Sequence, residues 1–374
     1  MQTPWGELAD LDLSDHDLAG RILAADKHQL IEGLVVECLF DQIVQALPAC
    51  AAHPLVLLDV ETVVVDSGRS DLGWLGFVWA RQREPGLGRY LQALGRCLRP
   101  WLLDYADGEF WATPVRDGQR AGPTQRLPEL LQTLSNRPPK PFLVDASVRN
   151  SLRQRQAFWG FVSGYHQDRL AERVLLPRIL INCAIQPWFR TVWNLDRAVI
   201  LGDRVWVLEI KHKFPINQHP LHFGINAGEI GLLDRLSRAG VRCLHTILVK
   251  PQWSKEVGSM YLLNDLRLRT QAALIATVLD PARTALLLQQ TSAHAGRHTS
   301  ITGRAPLAYK RLAASSFSRL GLLPQPPAEL AQNMVDTMLG TATQAVQDGW
   351  LRGLAQHGVH HVLRQFCGWL WQQA

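Results

Sequence analysis

The sequence predicts an α/β protein built on a mixed sheet flanked by helices, with a further α/β unit before that core and a helical region after it. Three observations carry the expectation. Short β-rich runs alternate with segments whose apolar residues recur at helical spacing. Apolar residues make up 47% of the 374-residue chain, enough to fill the cores of two or three domains of roughly 100 to 200 residues each. The stretch from Asn194 to Lys213 reads as two apolar strands around the turn pair Gly202-Asp203.

The elements follow in order. Residues 1–115 form the first α/β unit: a helix from Lys27 to Leu47, strands near Leu55 to Asp59, Thr62 to Asp66 and Trp74 to Ala80, and a helix around Tyr90 to Leu98. Residues 116–140 form a linker or loop-rich boundary, because Pro, Gly and Arg crowd the tract around a short helical segment, Leu127 to Leu134. The core spans residues 141–263. It begins with a helix from Tyr165 to Leu176, which Pro177 should end or kink because proline removes a backbone donor. The hairpin, a helix from about Asn226 to Ala239 and a strand from Val241 to Val249 complete it. Residues 264–374 read as helical, over Thr270 to Gln290 and again from Ala328 onward, with the polar, basic stretch Ser292 to Pro306 as a loop between them.

The hairpin places chemistry at one end. Residues alternate faces along a strand, so Glu209 and Lys211 share a side, and pairing across the turn brings Asp196 toward them. Two carboxylates with a strand carbonyl, that of Ile210, are hard oxygen ligands of the kind Mg2+ or Mn2+ takes together with a substrate phosphate. The lysine can orient a water or offset charge on a phosphorane-like transition state.

This pattern resembles the PD-(D/E)xK nuclease superfamily, the restriction-endonuclease-like fold, whose signature is an Asp, a spacer and then an acidic-x-Lys triplet. Glu209-Ile210-Lys211 is the only acidic-x-Lys triplet in the chain, and Leu195 stands where the family name has Pro. The resemblance covers about a third of the chain, residues 141–263. It implies a restriction-endonuclease-like core with Asp196 and Glu209 as metal ligands, Lys211 as the catalytic lysine and Mg2+ (or Mn2+) as cofactor. It implies Glu172, on the helix before the hairpin, as a third ligand, and a polar residue on the following helix, Asn226 or Glu229, facing the site; Asn226 also reads as a helix N-cap. Lys213, which shares the face of Lys211, and His212 are candidates for phosphate contact. The reaction implied is phosphodiester hydrolysis leaving 5′-phosphate and 3′-hydroxyl ends, with DNA as the expected nucleic-acid partner and a homodimer or partner proteins possible.

Two further readings stand beside this one. The nuclease fold could be retained without activity, in a nucleic-acid-binding or assembly subunit. Alternatively, Leu58-Asp59-Val60-Glu61-Thr62 resembles the first acidic motif of DEDD exonucleases, with Asp59 and Glu61 as ligands and Asp145 or Asp168 as later acids.

Composition sets outer bounds. A net charge of +6 and a pI near 9.1 favour an anionic partner. Arg149, Arg153 and Arg155, or Arg267 and Arg269, could track a phosphate backbone. Residues 1–10 lack a basic start and an apolar stretch, and no run of 18 apolar residues occurs, so the expectation is a cytoplasmic protein with no membrane partner. The six cysteines are scattered without a C-x-x-C pair and read as reduced core thiols. There is no P-loop and no HExxH motif. His357, His360 and His361 lie at helical spacing, and the aromatic-rich stretch Phe366 to Trp371 suits a buried helix or a dimer partner.

Overall fold

The two largest sheets of the described residues, of six and seven strands, exchange strands with each other. The computed structural model describes residues 1–25, 31–47, 52–144, 152–254, 261–294, 308–342 and 344–355. In chain order the main elements begin with helices α1 (His16–Ala24) and α2 (Ile31–Gln45), then strands β1 (Leu55–Leu58), β2 (Val60–Asp66) and β3 (Trp74–Ala80). Helix α3 (Leu87–Gly95), strands β4 (Arg99–Ala106) and β5 (Glu109–Arg116) and helices α4 (Leu127–Leu134) and α5 (Leu152–His166) follow. Next come β6 (Thr191–Leu195), β7 (Arg197–Leu201), β8 (Arg204–Lys213), β9 (His222–Asn226), α6 (Ala227–Arg238) and β10 (Arg242–Val249). The last are β11 (Ala273–Val278), α7 (Pro281–Gln289), β12 (Ala308–Ala313), β13 (Ser318–Leu322) and α8 (Pro327–Leu339).

The six-stranded sheet has the order β13-β11-β10-β8-β7-β1 and is antiparallel except where β8 and β10 run parallel. That parallel pair needs a crossover, and α6 supplies it. The seven-stranded sheet has the order β6-β2-β3-β4-β5, with the two-residue strands Gln119–Arg120 and Gln125–Arg126 both pairing with β5. Only Asp59 separates β1 from β2, and only Asp196 separates β6 from β7, so each aspartate is the single residue at which the chain leaves one sheet for the other. The crossings are neighbours, since β1 pairs with β7 and β2 with β6.

The core lies on both faces of these sheets. Trp206, Leu208 and Ile210 of β8 pack toward α2 residues such as Val36, Leu39 and Phe40, whereas Val205 and Val207 pack toward α3 and α6 through Leu91, Leu94, Ile230 and Leu233. Burial on both sides explains why β8 reads as a continuous apolar run and not as an alternating one. Gly86, at the N-cap of α3, has φ +100°, and a Cβ there would lie 2.6 Å from Ile200 Cγ1, so the close seating of α3 on β7 depends on glycine.

The hairpin and its turn follow the expectation, and so do the later helix and strand, but a further strand, β9, lies where a loop was expected between β8 and α6. Other elements do not. The segment Thr270 to Gln290 is not one helix: Ala273–Val278 is a strand in the six-stranded sheet, and the helix starts only at Pro281 under the Asp280 N-cap. Residues 264–374 therefore supply β11 and β13 to the central sheet and are not simply helical. Pro177 does not end the segment after α5, because helical turns of mixed 3-10, π and α type continue from Gln167 to Trp188 and absorb the missing donor. The boundaries drawn at residues 115 and 140 are crossed by β1 and β6, which each pair in the sheet of the other unit. The loop expected at Ser292 to Pro306 falls largely outside the described residues, as do Asp145, Arg149, His357, His360, His361 and Phe366 to Trp371. No described helix is long and apolar enough to cross a membrane.

Candidate active site

The end of β8 gathers the charges. β7 pairs with β8 only as far as Arg197 opposite Leu208, so beyond that point the β7-facing edge of β8 has lost its strand partner. Asp196 fills the gap: its Oδ2 accepts the backbone N–H of Ile210 at 2.7 Å. The carbonyl of Ile210 leaves the strand on the same edge, as in any hydrogen-bonded β pair.

Glu209 and Lys211 project together toward α6, and the Lys211 ammonium donates to Glu209 Oε1. The same Nζ lies 3.9 Å from Asp196 Oδ2 and 3.5 Å from Glu229 Oε1. Glu229 comes from the first turn of α6, whose N-cap is Asn226 accepting from the Gly228 N–H at 2.9 Å. Three carboxylates therefore surround one ammonium. Sequence reasoning named Glu229 only beside Asn226; the structure assigns the capping role to Asn226 and brings Glu229 to the cluster.

Burial makes this cluster electrostatically tense. Glu209 is 4% exposed, and burial, reinforced by Asp196 and Glu229, raises its carboxyl well above the ordinary range despite Lys211. Asp196 is raised by burial too, with Lys211 and the Ile210 N–H opposing. Glu229 is lowered: burial pushes upward, but Lys211 and a hydrogen bond from Glu209 outweigh it. Lys211 stays charged, since the three carboxylates overcome the effect of burial.

The remaining candidates are placed differently. Lys213 is on the face of Lys211, but its Nζ donates to the Gly224 carbonyl at 2.6 Å and burial lowers it to about 8. His212 points to the opposite face, where Nε2 meets Tyr261 Oη at 2.7 Å, and burial holds it near 3, so it offers no cation for phosphate. Strand alternation is the reason. Glu172 is not gathered into the cluster; its carboxylate pairs with Arg169 at 2.9 Å, beside Asp59. Arg267 is exposed on the short helical turn Leu266–Arg269, and Arg269 is half-buried there.

Asp59 and Glu61 do not form a free carboxylate pair. Asp59 receives Arg169 at 2.8 Å, Arg173 at 2.9 Å and Arg81 at 3.2 Å, and Arg81 also meets Glu61 at 3.3 Å. Burial opposes ionisation of Asp59, but these guanidiniums carry its carboxyl below the usual range. Asp168 lies in the 3-10 turn Gln167–Arg169.

A second charged layer was not visible in the sequence. Arg197, next to Asp196, binds Asp41 of α2 through two bonds of 2.6 and 2.9 Å, Glu37 at 3.0 Å and the Asp196 carbonyl at 2.6 Å. Glu37 is raised to about 7 by burial, which outweighs Arg197, with Asp196, Asp41 and Glu61 adding repulsion. Besides α6 with Glu229, α2 thus brings an acid, Glu37, near Asp196, and the segment holding Glu172 does not. Among the described residues, no group of three or more His, Cys, Asp and Glu side chains is placed to hold a metal ion. Comparisons with protein-family models, with curated proteins and with solved structures found no match to this chain.

Proposed function

We propose that this chain is a Mg2+-dependent nuclease of the PD-(D/E)xK, restriction-endonuclease-like type, acting on DNA. One observation carries the reading: Asp196, Glu209 and Lys211 meet in one partly buried cluster although a turn separates the first from the other two. Around it, β7, β8, α6 and β10 follow in the order that the resemblance implies, with the short strand β9 added between β8 and α6.

The donors suit a hard divalent cation. Three carboxylates already converge on a cation, the Lys211 ammonium, and Glu229 Oε1 is buried without a hydrogen bond. Mg2+ is commonly held by one or two carboxylates, with waters and phosphate oxygens completing its shell, so an open set fits it better than a closed cage. Asp196 and Glu209, with the Ile210 carbonyl, would hold the ion. When bound it would polarise the phosphate and acidify a water.

The chain's own groups supply the rest. Lys211 is kept protonated and oriented by its carboxylate neighbours, and can donate a hydrogen bond to the attacking water or to a phosphate oxygen where negative charge develops. Asp196 is fixed by a backbone donor and not by a flexible side chain, so its position is set by the sheet crossing. The DEDD-type alternative loses support, because Asp59 is engaged by three guanidiniums.

The test is incubation of the purified chain with linear, supercoiled and single-stranded DNA in Mg2+ or Mn2+, beside Glu209→Ala/Lys211→Ala. Cleavage by the wild type alone supports the reading. Binding that survives chelation, with no cleavage of any substrate, replaces it with an inactive nuclease-fold binding subunit.

A further inference from the structure

Trp74 of β3 and Trp193 of β6 lie face to face, with ring centroids 5.0 Å apart and planes 15° from parallel. The Arg235 guanidinium of α6 sits over the Trp74 ring, 5.0 Å from its centroid. Strand pairing brings the rings together: Thr191, Asp66 and Trp74 are register partners across β6, β2 and β3, and Trp193 stands two residues along the same face of β6. β6 is an edge strand, both indoles are only half-buried, and Arg235 is exposed, so the stack keeps aromatic surface within reach of solvent.

The stack adjoins the candidate active site. A Cβ on Gly228 would lie 3.6 Å from Trp193 Cζ2, and the next residue, Glu229, reaches Lys211 Nζ at 3.5 Å. Gly228, Gly231 and Arg235 share one face of α6. A Cβ placed on Gly231 meets nothing within 4 Å among the described residues, so that face is open between its contact with Trp193 and Arg235. Positive charge surrounds the rings: exposed Arg190 precedes Thr191, and exposed Arg99 is the register partner of Leu75. The acids at this end, Asp66 and Asp71, are engaged by the Gly68 N–H and by Arg69.

Building on the nuclease reading, we propose that the Trp193–Trp74–Arg235 stack is a base-stacking platform for single-stranded DNA beside the cleaved phosphate. In a duplex, neighbouring bases cover each other's faces, so an indole can stack only on a base that has left the helix. The rings offer π surface to such a base, the guanidinium adds cation–π attraction, and the flanking arginines suit the phosphates on either side. Every base has a π face, so the platform selects an unpaired strand and not a sequence. The substrate class that fits is a single strand, or the single-stranded end of a duplex.

Oligonucleotides carrying 2-aminopurine, whose emission falls when it stacks on an aromatic ring, test this by fluorescence titration in EDTA, where no Mg2+ supports cutting. The wild type should quench a single strand and leave a blunt duplex of the same sequence unquenched. Trp193→Leu should abolish the quenching and weaken single-strand binding about 10-fold to 100-fold, the usual loss for one base–aromatic stack. Trp193→Phe should keep most of both, and Arg235→Gln, at an exposed position, should cost about 2-fold to 5-fold in affinity. Binding of the single strand without quenching, no binding at all, or an affinity that survives Trp193→Leu in a folded protein overturns the platform. Should a thermal melt show that Trp193→Leu does not fold, Arg235→Gln decides, and wild-type affinity in that variant overturns it. Quenching with no cleavage in Mg2+ sinks the nuclease reading and leaves the platform standing; cleavage of duplex without quenching of any single strand does the reverse.

Discussion

Asp59 and Asp196 occupy equivalent places, each the lone residue between a strand of one sheet and a strand of the other, yet their carboxylates are treated in opposite ways. Asp59 is held by three guanidiniums and lowered; Asp196 is raised, by burial first and by Glu229 in addition. Ionised Asp59 therefore stabilises the fold at neutral pH, whereas ionised Asp196 strains it. Asp196→Asn should keep or raise the melting temperature while reducing cleavage about 10²-fold to 10³-fold, the scale for losing one fixed electrostatic group at a reacting centre. Asp59→Ala should cost about 1 to 3 kcal/mol, because Arg81 loses one of its two carboxylate partners and keeps only Glu61. Melting curves and a cleavage assay on both variants check this. Equal destabilisation by the two changes would sink the distinction between a structural and a reacting aspartate.

On the proposed reading, Lys211 separates binding of a cation from its use. Its ammonium neutralises part of a three-carboxylate cluster, so Lys211→Ala concentrates negative charge there. The variant should be stabilised by Mn2+ more than the wild type, as binding to the folded state alone requires. Its cleavage rate should fall about 10²-fold to 10⁴-fold, the range for a positioned proton donor or acceptor. Thermal shifts at several Mn2+ concentrations and single-turnover rates would measure both. A variant that cuts at the wild-type rate removes Lys211 from the chemistry.

How far the sequence foretold this site depends on the range of the interactions involved. Asp196, Glu209 and Lys211 could be read because they lie on one hairpin, where strand alternation and a two-residue turn nearly determine which side chains meet. Asn226 was legible for a similar local reason, as a cap. Glu37 and Arg197 were not, since α2 and β7 come together only through the tertiary fold. The exchange of β1 and β6 between sheets is likewise a matter of long-range pairing that no local pattern encodes. The strand Ala273–Val278 was misread as helix because its residues are nearly all buried, and a short apolar run satisfies both periodicities. His212 shows the limit of proximity in sequence: one step along a strand from Lys211, it is on the other face.

Arg197 joins α2 to the strand that carries Asp196, and its removal should be felt at the site as well as in the fold. Its guanidinium answers Asp41, Glu37 and the Asp196 carbonyl at once. Arg197→Leu should destabilise by about 3 to 5 kcal/mol, because Asp41 remains buried without a counter-charge. Adding Asp41→Leu should return much of that loss, since replacing both members of a buried pair by apolar groups is far less harmful than replacing one. Urea unfolding of the single and double variants decides it; a double variant as weak as the sum of the two single ones would refute the pairing.

Acid sensitivity of the fold should trace in part to His166. Its Nε2 lies 3.4 Å from Cys38 Sγ, joining α5 to α2, and burial, aided by Arg173, Arg197 and Arg81, lowers the imidazole to about 4, with Asp41 opposing. The unfolded chain binds this proton near pH 6.5 and the folded chain only near 4. The stabilising contribution of the neutral ring is therefore complete above about pH 6.5, shrinks as pH falls through that window, and is gone below about 4. At roughly 1.4 kcal/mol for each unit the full effect is on the order of 3 kcal/mol. His166→Gln keeps a polar group against Cys38 but cannot titrate, so its urea midpoint should fall less than that of the wild type between pH 7 and pH 4.5. Parallel losses in the two proteins over that interval would assign the acid sensitivity to other groups.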